Sequence, residues 1–173
     1  MATLPRHTWI ERMKGAALLH IDTYEEVEAD HTATGQAAGV VALVAVAQAI
    51  GGAGEGGSGI LFGAISALLG WLLWAGITYL IGAKLLGGTA TWGELLRTIG
   101  FAQTPGVLHV LGIIPVLGGI IRFGVAIWVL IAGIIAIRQA LDVGTGKAIL
   151  TAVLGWLVII LPLALLVAAV ARR

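Results

Sequence analysis

Residues 60–83 read ILFGAISALLGWLLWAGITYLIGA, an uninterrupted run of 24 residues without a charged side chain. A helix that crosses about 30 Å of hydrocarbon at 1.5 Å per residue needs roughly 20 apolar residues, because it must satisfy its backbone hydrogen bonds internally. This run meets that requirement and predicts a membrane-spanning helix at the centre of the chain.

The sequence on either side is similarly apolar. Between Asp30 and Lys84 the only charged residue is Glu55, and the whole chain has a mean hydropathy of +1.03 with 11% charged residues. In soluble domains about 25% of the residues are charged. We therefore predict an all-α polytopic membrane bundle of five transmembrane helices (residues 35–173) behind a short amphipathic and acidic cytoplasmic head (residues 1–34). The predicted spans are 36–52, 60–83, 101–117, 120–137 and 148–171.

The third predicted span differs from the others because two prolines, Pro105 and Pro115, interrupt it. Proline removes a helical hydrogen bond and clashes with the preceding turn. We expect Gly118 and Gly119 to close a tight hairpin between this span and the fourth.

The distribution of Lys and Arg predicts the orientation, since cationic loops tend to remain on the cytoplasmic side. An inside amino terminus places seven cationic residues inside: Arg6, Arg12, Lys14, Lys84, Arg97, Arg138 and Lys147. It leaves Arg122, Arg172 and Arg173 outside. No signal peptide is predicted, because the first apolar run begins only after about thirty residues. We expect a bacterial inner-membrane protein with a cytoplasmic amino terminus.

Composition also excludes several kinds of site. The absence of cysteine excludes disulfides, thiolate metal sites and cysteine nucleophiles. A net charge of +1 gives no indication of a nucleic-acid partner. No Asp or Glu is predicted at mid-membrane, and histidines 7, 20, 31 and 109 are scattered along the chain. We predict no metal, no cofactor and no catalytic residue.

The head contains two helical patterns. Apolar residues recur at three- and four-residue spacing from Trp9 to Ile21, which suits a helix in the headgroup layer. Asp22 and Glu25 have the spacing of a capping box for a second, acidic helix. Glu25, Glu26 and Glu28 give that helix two open interpretations: a solvated surface, or a docking surface for a cytoplasmic partner.

Two pairs of opposite charges have helical spacing near span ends. Glu94 and Arg97 are three residues apart, and Arg138 and Asp142 are four apart. They could form a cross-helix charge network that fixes the second-to-third loop against the fourth-to-fifth loop. The alternative is four independent surface ions, worth under about 1 kcal/mol per pair.

His109 lies inside the third predicted span, between the two prolines. Imidazole titrates near neutrality, so His109 could respond to protons or bind a ligand. It could equally be a packing residue whose ring nitrogen is satisfied by a neighbouring hydroxyl or carbonyl.

Three segments carry a family resemblance: YEEVEAD at 24–30, GELLRTIGFAQTPG at 93–106, and AIRQALD at 136–142 with TGKA at 145–148. Together they resemble the bacterial branch of the Yip (Rab-interacting protein) membrane family. The resemblance implies five helices with a cytoplasmic amino terminus, and work in binding and membrane organisation. This chain lacks the long amino-terminal extension of the eukaryotic members, so their Rab-binding role is not carried over.

These observations favour a non-catalytic scaffold or accessory subunit that associates with itself or with other membrane proteins in the lipid bilayer. The alternative is a small transporter or channel that uses the proline-broken third helix. An intramembrane enzyme would need a nucleophile and a base within reach of each other, and the sequence offers no such pair. No small-molecule substrate is assigned.

Overall fold

The computed structural model describes residues 7–52, 59–114 and 116–171, which form helices and connecting turns without a strand. The described α-helices are α1 (Trp9–Ala17), α2 (Ile21–Ala29), α3 (Ala33–Gly51), α4 (Ile60–Thr78), α5 (Trp92–Ala102), α6 (Leu117–Ala140) and α7 (Thr145–Ala171). A π-helical segment, Tyr79–Leu85, continues α4, and a 3-10 segment, Thr104–Ile113, follows α5.

Four helices in the described residues are long and apolar enough to cross a membrane: α3, α4 with its π-helical extension, α6 and α7. They correspond to the first, second, fourth and fifth predicted spans. The structure does not confirm the third as a regular span. Phe101 and Ala102 end α5, and the 3-10 segment begins at Thr104 with Pro105 in its first turn. The 3-10 segment avoids the cost of a proline inside an α-helix.

The 3-10 segment nevertheless carries the chain along the bundle. It packs mainly against α3 and α6. At one end, which we call the opposite end, Gly112 lies against Gly51 at the end of α3, and Gly118 approaches the Gly112 carbonyl. Gly118 and Gly119 lie in the first turn of α6, so they do not form the predicted hairpin. The other end, where α2, the start of α5 and the turn after α6 meet, is called the polar end.

The buried core runs the length of this bundle and includes Val40 and Val44 of α3, Trp71 of α4, and Leu95 and Phe101 of α5. At the polar end, the loop between the π-helical segment and α5 lies against the turn after α6. Thr89 N–H donates to the Leu141 carbonyl at 3.1 Å, and Lys147 Nζ donates to the Leu86 carbonyl at 3.2 Å. The two loops that were expected to meet do so, largely through backbone carbonyls.

Helices α1 and α2 form an amino-terminal hairpin that packs against the bundle. Thr8 caps α1 in a capping box with Glu11. Leu19 adopts a left-handed conformation (φ 64°), and the N–H of His20 bonds to the Gly15 carbonyl at 2.9 Å, which turns the chain in a Schellman motif. The predicted capping box of Asp22 and Glu25 does not form, because α2 begins two residues earlier than that box requires, with His20 at its N-cap and no side-chain cap.

Close helix approach depends on particular glycines. Gly35, Gly59 and Gly63 face open space within the chain, whereas a Cβ at Gly39 would lie 3.2 Å from the ring of Trp9. A Cβ at Gly100 would lie 2.7 Å from the Cβ of Ala37, so α5 and α3 touch there.

Candidate functional site

The first polar cluster centres on Arg12, whose side chain is only 2% exposed. Its guanidinium donates to Glu26 Oε1 through Nε at 3.0 Å and Nη2 at 2.8 Å, to Asp30 Oδ2 through Nη2 at 2.8 Å, and to Gln36 Oε1 through Nη1 at 3.0 Å. His7 adds a contact from Nδ1 to Glu26 Oε2 at 2.5 Å. One arginine therefore ties α1 to α2 and to the first turns of α3.

The pKa of Asp30 shows how favourable this environment is for a carboxylate. Hydrogen bonds from Thr32 and then from Arg12 outweigh burial and lower the pKa of Asp30 to about 2. The Thr32 hydroxyl donates to Asp30 Oδ1 at 2.6 Å. Asp30 is therefore ionised at physiological pH, and its ion pair with Arg12 acts as a fixed structural clamp.

A second buried arginine, Arg97 of α5, binds the carboxyl end of α2. Arg97 is 2% exposed, and its Nε donates to the carbonyls of Val27 at 2.9 Å and Glu28 at 3.0 Å, while Nη2 also donates to Glu28. A cation at the end of a helix satisfies its last carbonyls and complements its dipole. Arg97 thus fastens the amino-terminal hairpin to the bundle.

The four residues of the predicted charge network have other partners in the structure. Glu94 forms a capping box with Thr91 at the start of α5. Arg138 Nε donates to Gln139 Oε1 at 2.9 Å, and Asp142 Oδ2 accepts from Thr89 Oγ1 at 2.8 Å. Within the described residues, no ion pair of 4.0 Å or less joins Glu94 to Arg97 or Arg138 to Asp142.

The polar end instead gathers negative charge around Glu28. Burial, followed by the charges of Asp142, Glu94 and Glu25, raises the pKa of Glu28 to about 7, against the opposing effect of Arg97. Glu25 is exposed and accepts from Gln139 Nε2 at 2.7 Å. In the ranges that the structure describes, no group of three His, Cys, Asp or Glu side chains could hold a metal ion.

His109 lies in the 3-10 segment and is half-buried. Its Nδ1 is 2.8 Å from the Gly106 carbonyl, three residues back in the same segment, so the Nδ1–H tautomer is satisfied locally. His109 lies near the opposite end of the bundle, away from the acidic residues around Glu28. Its own carbonyl approaches Gly51 there.

Sequence reasoning missed the two side chains that organise this end of the molecule. It counted Arg12 among the cytoplasmic cations and paired Arg97 with Glu94. One signal was available for Arg12: Glu26 and Asp30 are four residues apart, so both face one side of a helix and can share a cation. Backbone carbonyls leave no trace in the residue pattern, so the role of Arg97 had no comparable signal.

Fold and site together define an all-α membrane protein whose buried charges hold an amino-terminal hairpin against a helical bundle. The family model for the Yip1 domain matches residues 21–166, and the chain belongs to that family. No curated protein and no solved structure matches the chain.

Proposed function

We propose that this protein is a non-catalytic scaffold or accessory subunit of the bacterial inner membrane, where it associates with itself or with other membrane proteins. In this proposal the polar end and the amino terminus are cytoplasmic, and the chain crosses the bilayer five times, with α5 and the 3-10 segment as the third crossing. Membership of the Yip1 domain family supports a membrane role of this kind.

The observation that carries the proposal is the use made of the most deeply buried charges. Arg12 and Arg97 are each 2% exposed, and both join helix to helix through every hydrogen bond described above. Groups engaged in this way stabilise an architecture. Covalent catalysis requires a nucleophile within reach of an activating base, and these two arginines do not form that arrangement.

Native mass spectrometry in mild detergent tests the proposal. We expect an oligomer or a complex with a co-purifying membrane protein. A strictly monomeric species without any companion, obtained from native membranes at low detergent, would contradict it.

The acidic surface can be tested separately as the docking site for a cytoplasmic partner. Glu25→Lys reverses an exposed charge, whereas Glu26 must be left intact because it binds Arg12. We expect Glu25→Lys to reduce recovery of a co-purifying partner. Asp22→Lys, an equal charge change one helical turn earlier in α2, is the matched control. Equal recovery with both variants would remove the docking role.

Two cavities favour a second candidate function, a small transporter or channel. They measure about 150 and about 160 Å³ and share Trp74 and Gln103. Gln103 marks the break between α5 and the 3-10 segment, and interrupted helices form substrate sites in transporters. The test is the flux of solutes across liposomes that contain the protein. A flux that is lower in Gln103→Ala and His109→Ala than in the wild type would support this function, and a wild-type flux equal to that of protein-free liposomes would exclude it.

A further inference from the structure

The outer surface of the amino-terminal hairpin carries large apolar side chains beside the exposed charged residues Glu11 and Lys14 of α1. Helix α1 buries Arg12 against the protein, while Ile10 is 73% exposed and Leu18 is 51% exposed on the other side. Ile21, at the start of α2, is 44% exposed. A helix in water places its charged residues outside and its large apolar residues inside. This arrangement therefore indicates an apolar surrounding for the outer face of the hairpin.

The position of the hairpin along α6 indicates what that surrounding is. Glu25 accepts from Gln139 at the carboxyl end of α6, whereas the Ala17 carbonyl accepts from Trp128 Nε1 at 2.8 Å. Trp128 lies near the middle of α6, about 18 Å from its carboxyl end at 1.5 Å per residue. If α6 crosses the bilayer, the turn between α1 and α2 lies below the level of the polar end.

Exposed apolar side chains of α6 occur at a similar level along the helix to the hairpin. Phe123 and Ile127 of α6 are 69% and 44% exposed, close in sequence to the Trp128 that holds Ala17. Because α6 and the hairpin both expose apolar side chains at this level, we expect the same environment to surround both.

We propose that the amino-terminal hairpin is embedded in the lipid leaflet at the polar end, with Ile10, Leu18 and Ile21 among the acyl chains. Lys14, exposed one helical turn from both Ile10 and Leu18, reaches the lipid phosphates. This inference concerns the contact with lipid and does not depend on the scaffold role.

The polar side chains on the same surface set the depth. His20 and Asp22 are exposed beside the turn, and both require water or headgroups. The hairpin therefore lies at the boundary between headgroups and acyl chains, with its apolar side chains buried about 5–10 Å below the headgroups, as in other interfacial helices.

Because the chain has no cysteine, single-cysteine variants can report this depth without a background signal. The variants are Leu18→Cys and Ile21→Cys, with Glu25→Cys as the control at the polar end. Each carries a nitroxide label in vesicles of phosphatidylcholine and phosphatidylglycerol. Its collisions with oxygen, which concentrates in lipid, are compared with those of a water-soluble nickel chelate.

We expect the labels at Leu18 and Ile21 to collide with the nickel chelate several-fold less often than the label at Glu25, and more often with oxygen. Equal nickel accessibility at all three positions would overturn the proposal. So would low accessibility to both reagents that rises when the protein is diluted in lipid, because a second copy would then cover the surface. Unchanged helical circular dichroism shows that each variant is folded.

Discussion

Arg12 has the largest expected effect of any single side chain in the hairpin. Removing one partner of a buried ion pair leaves the remaining charges uncompensated, which costs about 3–5 kcal/mol. Glu26 is partly exposed, so the lower end of that range applies to Arg12→Ala.

Thermal unfolding in mild detergent, followed by circular dichroism, measures this effect. Arg138→Ala is the control, because its Nε bonds only to the neighbouring Gln139 and we expect a change below about 0.5 kcal/mol. A similar loss of stability in both variants would show that Arg12 does not clamp the hairpin.

Glu28 gives the polar end a dependence on pH. Its pKa is raised from 4.5 in the unfolded chain to about 7 in the folded protein, so the folded state holds the proton more tightly. The contribution of Glu28 to stability is fully present below about pH 4.5 and is lost as the pH rises to about 7. Because the Glu28 side chain is partly exposed to solvent, we expect the free energy of unfolding to fall by only about 1 kcal/mol over this range.

The variant Glu28→Gln should reduce this dependence, so its unfolding temperature should change less between pH 5 and pH 7.5 than that of the wild type. The hydrogen bond to Glu26 raises the pKa of His7, so a further loss of stability remains above about pH 6.5 in both proteins. Glu94→Gln keeps an oxygen for the capping box and removes one neighbouring charge, so it should move the transition to lower pH. A wild-type stability that is constant from pH 4.5 to 7.5 would contradict this assignment. Asp30 does not interfere, because its contribution is lost only below its unfolded pKa of 3.8.

At the scale of elements, the contact between α3 and α5 depends on Gly100. A Cβ there would lie 2.7 Å from the Cβ of Ala37 and 3.3 Å from its backbone, so the helices must separate. We expect Gly100→Ala to lower the free energy of unfolding by about 1–2 kcal/mol. Gly63→Ala, where nothing lies within 4 Å, should be neutral or raise it by up to about 1 kcal/mol. Equal thermal stabilities of the two variants would refute the close approach.

The elements differ in how far the sequence could predict them. Residues 60–83 and 148–171 specify spans by length and composition alone, and both are helical in the structure. Residues 101–117 are also largely apolar, although they include Gln103 and His109, but Pro105 removes a donor that a regular helix needs. Packing against α3 and α6 stabilises the 3-10 form. Hydropathy reports burial in lipid and does not distinguish these backbone conformations.

At the scale of the whole molecule, the family resemblance was confirmed by the match to the Yip1 domain over residues 21–166. The candidate site was predicted less well. Glu25 is exposed and Glu28 is half-buried, whereas Glu26 is engaged by Arg12, so the three acidic residues do not form one exposed surface. Long-range partners such as Arg97 with the α2 carbonyls arise from tertiary packing, which residue spacing does not encode.

We propose that α5 and the 3-10 segment together form the third of five membrane crossings, because they connect the polar end to the opposite end. Three exposed positions of this cysteine-free chain test it: Lys84 and Gly144 at the polar end, and Val116 at the opposite end. Each is replaced by cysteine in turn and labelled in sealed vesicles with a membrane-impermeant maleimide. The account predicts that Lys84→Cys and Gly144→Cys react from one side of the membrane and Val116→Cys from the other. Reaction of Val116→Cys from the same side as Lys84→Cys, with Gly144→Cys reacting from the other side, would contradict it.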